Sequence, residues 1–308
     1  MKEMENAVPR PSSFEGYTCD PILKARLTEH IAAAKIKGVL PPHMLFSGGP
    51  GTGKTTIAMI MAKTLNLPVF RFIGQELKKA SQLKEILRTP DCGAMLFIDE
   101  IHSVSKEIME LLYPIMEDRA MSSPTDPTLT IYLNPIIVVG ATTEPGSLEK
   151  PLLDRFTLKF VIPSYTTPQM VDIVGSMVTK MNQCNYTSAA VEAIARRSKN
   201  VPRIAGNLIF QVNDSALANA VKVVNDGFVK EVMDRNGITD DGLDGTDRKI
   251  IETLQQHETL GLDTLSTFIG EDANWISKVY EPYLLQHGYL LRSKTGRTLT
   301  TKGKLVRF

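Results

Sequence analysis

Cysteine is scarce. Cys19, Cys92 and Cys184 are the only three in 308 residues, odd in number and far apart. That excludes a disulfide framework and predicts a reducing compartment. No CxxC pair or His/Cys cluster offers a structural zinc site. No apolar run approaches the ~20 residues of a membrane span, and the polar stretch Met1 to Arg10 does not read as a signal peptide. Net charge is only +1, so no global field advertises a polyanionic partner and any basic surface must be local. There is no internal repeat and no low-complexity segment. These absences predict a soluble, intracellular (cytoplasmic) protein with no membrane partner. Apolar residues make up 43% of the chain, enough at this length for two or three domains with substantial cores.

One stretch carries a phosphate-binding signature. Gly48, Gly49, Pro50, Gly51, Thr52, Gly53, Lys54 and Thr55 fit G-x-x-x-x-G-K-[ST], between the apolar run Met44 to Phe46 and the helix-like run Thr56 to Thr64. That strand–loop–helix setting is what the motif requires. The glycines let backbone N–H groups turn toward phosphate oxygens, and the following helix adds its positive end. Lys54 can reach the outer phosphates, and the Thr55 hydroxyl can ligate Mg²⁺.

Around it, residues 1–165 alternate short apolar runs (Met44–Phe46, Val69–Ile73, Ala94–Ile98, Ile136–Gly140) with helix-like segments (Thr55–Thr64, Gln75–Arg88, Ser105–Tyr113). Buried strands separated by helices predict a parallel sheet covered on both faces, an α/β P-loop domain. Turn chemistry from Ser122 to Pro127 and a returning strand at Leu129 to Leu133 predict an inserted β-hairpin over about 120–133. Residues 166–236 read as a small all-α domain. Its helices fall at Thr167 onward, with Met170, Ile173, Val174 and Met177 on one face, then at Ala189–Arg197, Arg203–Val221 and Phe228–Arg235. Asn236-Gly237 is the stop signal. Residues 237–308 offer helices at Asp244–Gln256, Leu262–Ile269 and Ala273–Gln286, then strands at Tyr289–Arg292 and Arg297–Thr300, the pattern of a winged helix-turn-helix.

The chemistry-bearing residues follow from position. Ala94 to Glu100 is an apolar strand ending in two carboxylates, and parallel sheets bind ligands at strand carboxyl ends. Asp99 is expected to hold Mg²⁺ and Glu100 to polarise the attacking water. Thr142-Thr143 ends another buried strand, where Thr143 could orient the γ-phosphate or only satisfy local backbone. Arg155 reads either as a surface charge or as an arginine finger serving a neighbouring subunit. Arg203 opens a helix, where the dipole disfavours it, so it reads either as a nucleotide contact or as an ion-pair member. The 27 residues after Glu281 hold six Lys/Arg (Arg292, Lys294, Arg297, Lys302, Lys304 and Arg307) and no Asp or Glu. That composition suits phosphate contacts to DNA, or simply a solvated terminus.

Taken together, these motifs resemble the RuvB family, the AAA+ motors of Holliday-junction branch migration. The likeness lies in Phe97 to His102, Leu112 to Asp118, Gly140 to Thr143, Asp154 to Phe156, Ala195 to Ser198, Pro202 to Ala205, Gly242 to Asp244, Asp247 to Lys249, Tyr280 to Leu284, Gly288-Tyr289 and Gly296-Arg297. The resemblance implies an ATP-hydrolysing hexamer around double-stranded DNA, acting on four-way junctions in recombination and repair. Arg10, before Pro11, would contact the adenine pocket, and Pro9 would belong to the same nucleotide site. Gly51, Lys54, Thr55 and Thr56 would hold phosphates and Mg²⁺, and Tyr165, Glu117 and Asp118 would belong to the nucleotide site. Thr143 would be sensor 1, Arg155 the finger acting in trans, and Arg203 sensor 2. Arg292, Lys294 and Arg297 would form a DNA-binding wing.

Three departures stand out. Cys19-Asp20 replaces a usual Gly-Gln. Ala273 stands where a basic residue is expected at the third winged-helix helix. The hairpin is short, which counts against docking of RuvA, the junction-recognising partner. Two other readings share the P-loop: a clamp-loader subunit, which would not be expected to end in a winged helix, and a winged-helix regulator using ATP only as a ligand. The intact Asp99-Glu100 pair argues against the regulator.

Overall fold

A computed structural model describes residues 9–79, 81–83, 90–122 and 128–308. The chain divides into two compact units, Met1–Ile173 with Val201–Arg203, and Val174–Asn200 with Ile204–Phe308. Among the described residues no helix is long and apolar enough to cross a membrane.

The first unit is built on five parallel strands, β1 (Met44–Ser47), β2 (Val69–Ile73), β3 (Ala94–Asp99), β6 (Ile136–Thr142) and β7 (Leu158–Val161), in the order β2-β3-β6-β1-β7. The three central strands are almost wholly buried on both faces, as continuous apolar runs require. Helices α1 (Pro21–Lys37), α2 (Lys54–Leu65), α3 (Lys106–Glu117) and α4 (Lys150–Arg155) accompany them. One core gathers Leu23, Leu27 and Ile31 of α1, Ile57 and Met61 of α2, and Phe46, Phe97 and Phe160 of the sheet. Phe46 and Phe160 stack at 5.7 Å, a pairing worth about 0.5–1.5 kcal/mol beyond area burial. The opposite face packs Ile108, Leu112 and Ile115 of α3 against Leu96, Ile98 and Val138.

The hairpin forms as expected. Strands β4 (Ala120–Ser122) and β5 (Thr130–Tyr132) pair antiparallel, Ala120 opposite Tyr132, while its turn at 123–127 lies outside the described residues. The helix expected at Gln75–Arg88 opens instead as a 3₁₀ turn, Gly74–Glu76, followed by non-helical Leu77 to Lys79, and most of its remainder lies outside the described residues. Asp20, one of the two departures near the start, caps α1: its carboxylate accepts the Leu23 N–H at 2.9 Å, ahead of Pro21.

His43 pins three elements together. Val138 N–H donates to its Nδ1 at 2.9 Å, so Nε2 carries the proton and donates to Met116 O at 2.9 Å. Burial lowers the His43 pKa, with the bond to Met116 opposing. The folded state therefore favours the neutral ring. Its stabilising contribution is complete above the ordinary value of about 6.5 and is lost as pH falls below it. Thermal midpoints measured at pH 7.5 and 5.5 should fall further for the wild type than for His43→Gln, which cannot titrate. Equal drops would exclude this group as an acid-labile staple.

In the second unit, α5 (Thr167–Met181, which begins in the first), α6 (Ser188–Arg197), α7 (Pro202–Ala218) and α8 (Asp226–Arg235) form the small helical bundle, with a two-residue bridge between β8 (Asn185–Tyr186) and β9 (Val223–Val224). Met170, Val174 and Val178 are the fully buried stripe of α5. Helix α9 (Gly245–His257) follows, its start fixed by a reciprocal Asp244/Asp247 capping box. Next come β10 (Thr259–Leu260), α10 (Leu262–Ile269), α11 (Ala273–Trp275), α12 (Glu281–Gln286), β11 (Leu290–Arg292), β12 (Arg297–Leu299) and α13 (Thr301–Leu305). The expected third helix is interrupted by a π-helical stretch, Ile276–Tyr280. Pro282 lies within the following turn; it has no N–H to donate and its ring crowds the preceding turn, so the regular ladder cannot pass through. The sheet order β10-β12-β11 completes a winged helix.

Candidate active site

The site lies at the carboxyl ends of three adjacent strands. β6 separates β1 from β3, so Ser47 at the end of β1 registers with Thr142, and Ile98 of β3 with Gly140. The loop from Gly48 to Gly53 leaves β1 and feeds α2. Gly53 takes φ +99°, and a Cβ there would stand 2.7 Å from Tyr17 Oη, so only glycine fits. Helix α2 has no side-chain cap. The first bond into its body runs from Ile57 N–H to Gly53 O, which leaves the N–H groups of Lys54, Thr55 and half-buried Thr56 free for an anion.

Lys54 is buried, and its Nζ donates to Gly48 O and Gly49 O, both at 2.9 Å. Burial lowers its pKa; Glu100 and Asp99 push the other way, and Arg203 adds to the lowering. The loop carbonyls are neutral acceptors, whereas a phosphate oxygen carries the opposite charge, so the ammonium gains an ion pair by leaving them. Thr55 Oγ1 donates to Asp99 Oδ2 at 2.9 Å. The hydroxyl and carboxylate expected to share Mg²⁺ are therefore adjacent, and this hard-oxygen pair fits that cation. Glu100 Oε2 accepts from the Thr143 N–H at 3.1 Å and the Thr143 hydroxyl at 3.0 Å.

Tyr165 is buried and donates to Thr52 O at 2.9 Å, inside the loop. Its oxygen is 3.1 Å from Tyr17 Oη, and burial followed by this contact pushes the Tyr17 pKa far up. Arg203 is exposed and forms no ion pair among the described residues. Its Cβ would lie 3.2 Å from a Cβ on Gly51, with Val201 closer still at 2.6 Å, so the start of α7 touches the loop.

Arg155 and Glu117 come together with each other. Arg155 Nη2 meets Glu117 Oε2 at 2.8 Å, Nη1 donates to Pro151 O at 2.9 Å, and the guanidinium lies 4.3 Å from the Tyr113 ring centre. Among the described residues, no hydrogen bond, ion pair or ring contact joins this group to its own phosphate loop. Asp118 is the exposed C-cap of α3. Half-buried Pro9 and exposed Arg10 make no hydrogen bond or ion pair with the loop.

Sequence reasoning missed Arg71, whose guanidinium is 3.8 Å from Asp99 on the neighbouring strand; a lone arginine inside the apolar run Val69–Ile73 was the available signal. It also missed His102, 3.2 Å from Glu100.

In the wing, the structure corrects one expectation. Arg297 is only 8% exposed, and its guanidinium grips the fully buried Glu281 at 2.5 and 3.2 Å. It is a structural ion-pair member, not a free phosphate contact. Arg292 (57% exposed side chain) and Lys294 remain at the surface. Removing one partner of such a buried pair costs about 3–5 kcal/mol. Glu281→Ala should accordingly lower the unfolding midpoint of the second unit sharply in a calorimetric scan, whereas Lys294→Ala should leave it unchanged.

The comparisons agree with this anatomy. Residues 9–162 match the family model of the Holliday junction DNA helicase RuvB P-loop domain, and residues 240–306 that of the RuvB C-terminal winged helix domain. The RuvB subunit of the Holliday junction branch migration complex from Campylobacter hominis is 37% identical over 98% of this chain and 90% of its own length. The Thermotoga maritima subunit is 36% identical over 95% of this chain and 90% of its own. The solved structure of the T. maritima RuvB branch migration motor superposes with a TM-score of 0.84 at 35% identity, covering 95% of this chain and 96% of that one. With a nucleotide-binding P-loop domain, a small helical domain and a C-terminal winged helix in that order, the chain belongs to the RuvB family of AAA+ ATPase motors.

Proposed function

We propose that this chain hydrolyses ATP with Mg²⁺ at the boundaries of a hexameric ring and moves duplex DNA through it, migrating four-way junctions in recombination and repair in the cytoplasm. The observation that carries the reading is the convergence of Lys54, Thr55, Asp99, Glu100 and Thr143 at one end of the sheet. Thr55 and Asp99 would hold Mg²⁺, which when bound neutralises charge on the β- and γ-phosphate oxygens. Lys54 and the free N–H groups of α2 bind the phosphates. Glu100 takes the proton of a water whose oxygen adds to the γ-phosphorus as the bond to the bridging oxygen breaks, releasing ADP and phosphate. Pro9, Arg10 and Tyr165 are read as flanking the bound nucleoside.

Arg155 is the finger, supplied to the neighbouring subunit with Glu117 and Asp118 beside it. The absence of any contact to its own loop favours action in trans. Arg203 reports nucleotide state to the helical domain from beside Gly51. We read residues 1–165, 166–236 and 237–308 as motor, lid and DNA-binding domains, with Arg292 and Lys294 on the backbone phosphates. The hairpin, short in sequence and with three paired residues per strand among the described residues, counts against a RuvA-like partner. ATP turnover by the purified protein, with and without four-way-junction DNA, tests this. Stimulation by junction or duplex DNA is expected. Turnover indifferent to DNA at low salt, where phosphate contacts are strongest, would count against a self-sufficient motor.

A further inference from the structure

The carboxylate of Glu100 is held by more than its strand. Oε2 receives both donors of Thr143 and also lies 3.2 Å from His102 Nδ1. The same nitrogen is 2.9 Å from Thr142 Oγ1, which in turn accepts the Glu144 N–H at 3.0 Å. A carboxylate oxygen offers only lone pairs, so the ring nitrogen facing it carries the proton. Two donors thus bond one oxygen of Glu100 with the ring nitrogen of His102 close beside it, and Oε1 engages none among the described residues.

The backbone is arranged to keep this geometry. Glu100 stands at φ +48°, ψ +51°, a left-handed conformation costing about 1–2 kcal/mol for a residue with a Cβ. The N–H and hydroxyl of Ser103 both donate to its carbonyl, at 2.9 and 2.7 Å. That carbonyl lies 2.4 Å from where a Cβ on Gly74 would stand, so glycine is needed opposite it. Strain of this kind persists only where the surroundings over-determine it. The turn that bends the chain at Glu100 also brings His102, two residues on, back against the carboxylate and the end of β6.

We propose that His102 is a positioning residue for hydrolysis: its Nδ1–H, anchored on Thr142 Oγ1 and 3.2 Å from Glu100 Oε2, holds that oxygen by charge attraction so that Oε1 is the oxygen left for the attacking water. The proposal rests on the reading of Glu100 as the group that polarises that water. It also ties the carboxylate to the end of β6, so that the position of Glu100 follows that strand.

Steady-state ATP hydrolysis by the full chain with DNA tests it, with four variants checked for unchanged melting. His102→Ala should lower kcat roughly 10- to 100-fold, as expected when a reacting group is misplaced by about an ångström, with KM within about twofold of wild type because phosphate binding is untouched. His102→Asn puts an amide N–H near the place of Nδ1 and should restore most of the rate. The His102→Ala/Glu100→Gln double variant should be no slower than Glu100→Gln alone, since the histidine acts through the glutamate. Wild-type kcat in His102→Ala, an Asn variant as slow as the Ala one, or multiplicative losses in the double variant would each overturn the proposal while leaving the role of Glu100 standing. Full turnover by Glu100→Gln would instead remove the reading beneath it.

Discussion

Arg155→Ala should lose about 10³–10⁵ in ATP turnover, the range a trans-acting arginine finger contributes by stabilising charge on the transferred phosphoryl group. Nucleotide affinity should change little, because Arg155 makes no contact with its own phosphate loop. Its partners in the same chain are exposed enough that the loss of fold stability is small: the side chains of Arg155 and Glu117 are 27% and 63% exposed. Ion pairs at such surfaces are worth about 0–1 kcal/mol, and the contact with Tyr113 adds about 0.5–1 kcal/mol. A steady-state assay paired with a thermal melt separates the two effects. A variant that melts near the wild-type midpoint yet is catalytically dead fits the assignment. One that keeps its turnover makes Arg155 a surface charge.

Lys54→Ala should abolish turnover through binding. Its ammonium is the one buried cation in the loop, and charged hydrogen bonds of its type contribute about 1.5–3 kcal/mol, or roughly 10- to 150-fold in affinity. A fluorescent-nucleotide titration reads this directly. Lys54→Arg is also expected to fail, because the planar guanidinium is larger than the compact ammonium that now sits between Gly48 O and Gly49 O. Wild-type affinity in the alanine variant would mean that the loop's N–H groups alone hold the phosphates.

Much of this site was legible because its chemistry is written in consecutive residues. The phosphate loop and the Ala94–Glu100 strand each combine a motif with a period that sets its structural context, and the sheet then brings them together. What escaped was carried by tertiary contact. Strand β7 was not anticipated: it is a sheet edge on which Leu158 and Lys159 are partly or fully exposed, so no continuous apolar run announces it. Helix α1 was overlooked as well, although Leu23, Leu27 and Ile31 recur at helical spacing behind Asp20-Pro21.

Arg297 illustrates the opposite error. The absence of acid after Glu281 made the tail look uniformly available to DNA. Glu281 itself, sixteen residues before Arg297 and fully buried, is what takes up that charge. Composition counts charges but cannot tell which are already neutralised inside. Lys302 is similarly engaged with its own unit, 3.8 Å from the Tyr289 ring centre and donating to His287 O. That leaves Arg292 and Lys294 as the wing's exposed cations among the three residues assigned to DNA.

The small helical bundle and the winged helix share one compact unit, and its contacts give a physical reason. Lys199, in the turn between α6 and α7, binds both Asp244 and Asp247 at the start of α9, and Arg197 pairs with Asp240. Gly242 lies so close to the Arg197 carbonyl that a Cβ would stand 2.4 Å from it. Burial pushes the Asp247 pKa up while Lys199 pulls it down, so the carboxylate depends on its lysine. Such buried pairs add little net stability but are costly to break, which favours the two segments moving as one body.

Mixing Arg155→Ala with Glu100→Gln protein tests the shared site most directly. Each variant alone lacks one half of every pocket, but a boundary that takes Glu100 from the first and Arg155 from the second is whole. Random assembly at equal amounts restores about a quarter of the boundaries in a closed homo-oligomeric ring, so DNA-stimulated turnover should rise from near zero toward that fraction of the wild-type rate. Turnover that stays at the level of the separate variants at every mixing ratio, with mixed rings shown to form, would contradict a pocket completed by the neighbouring subunit.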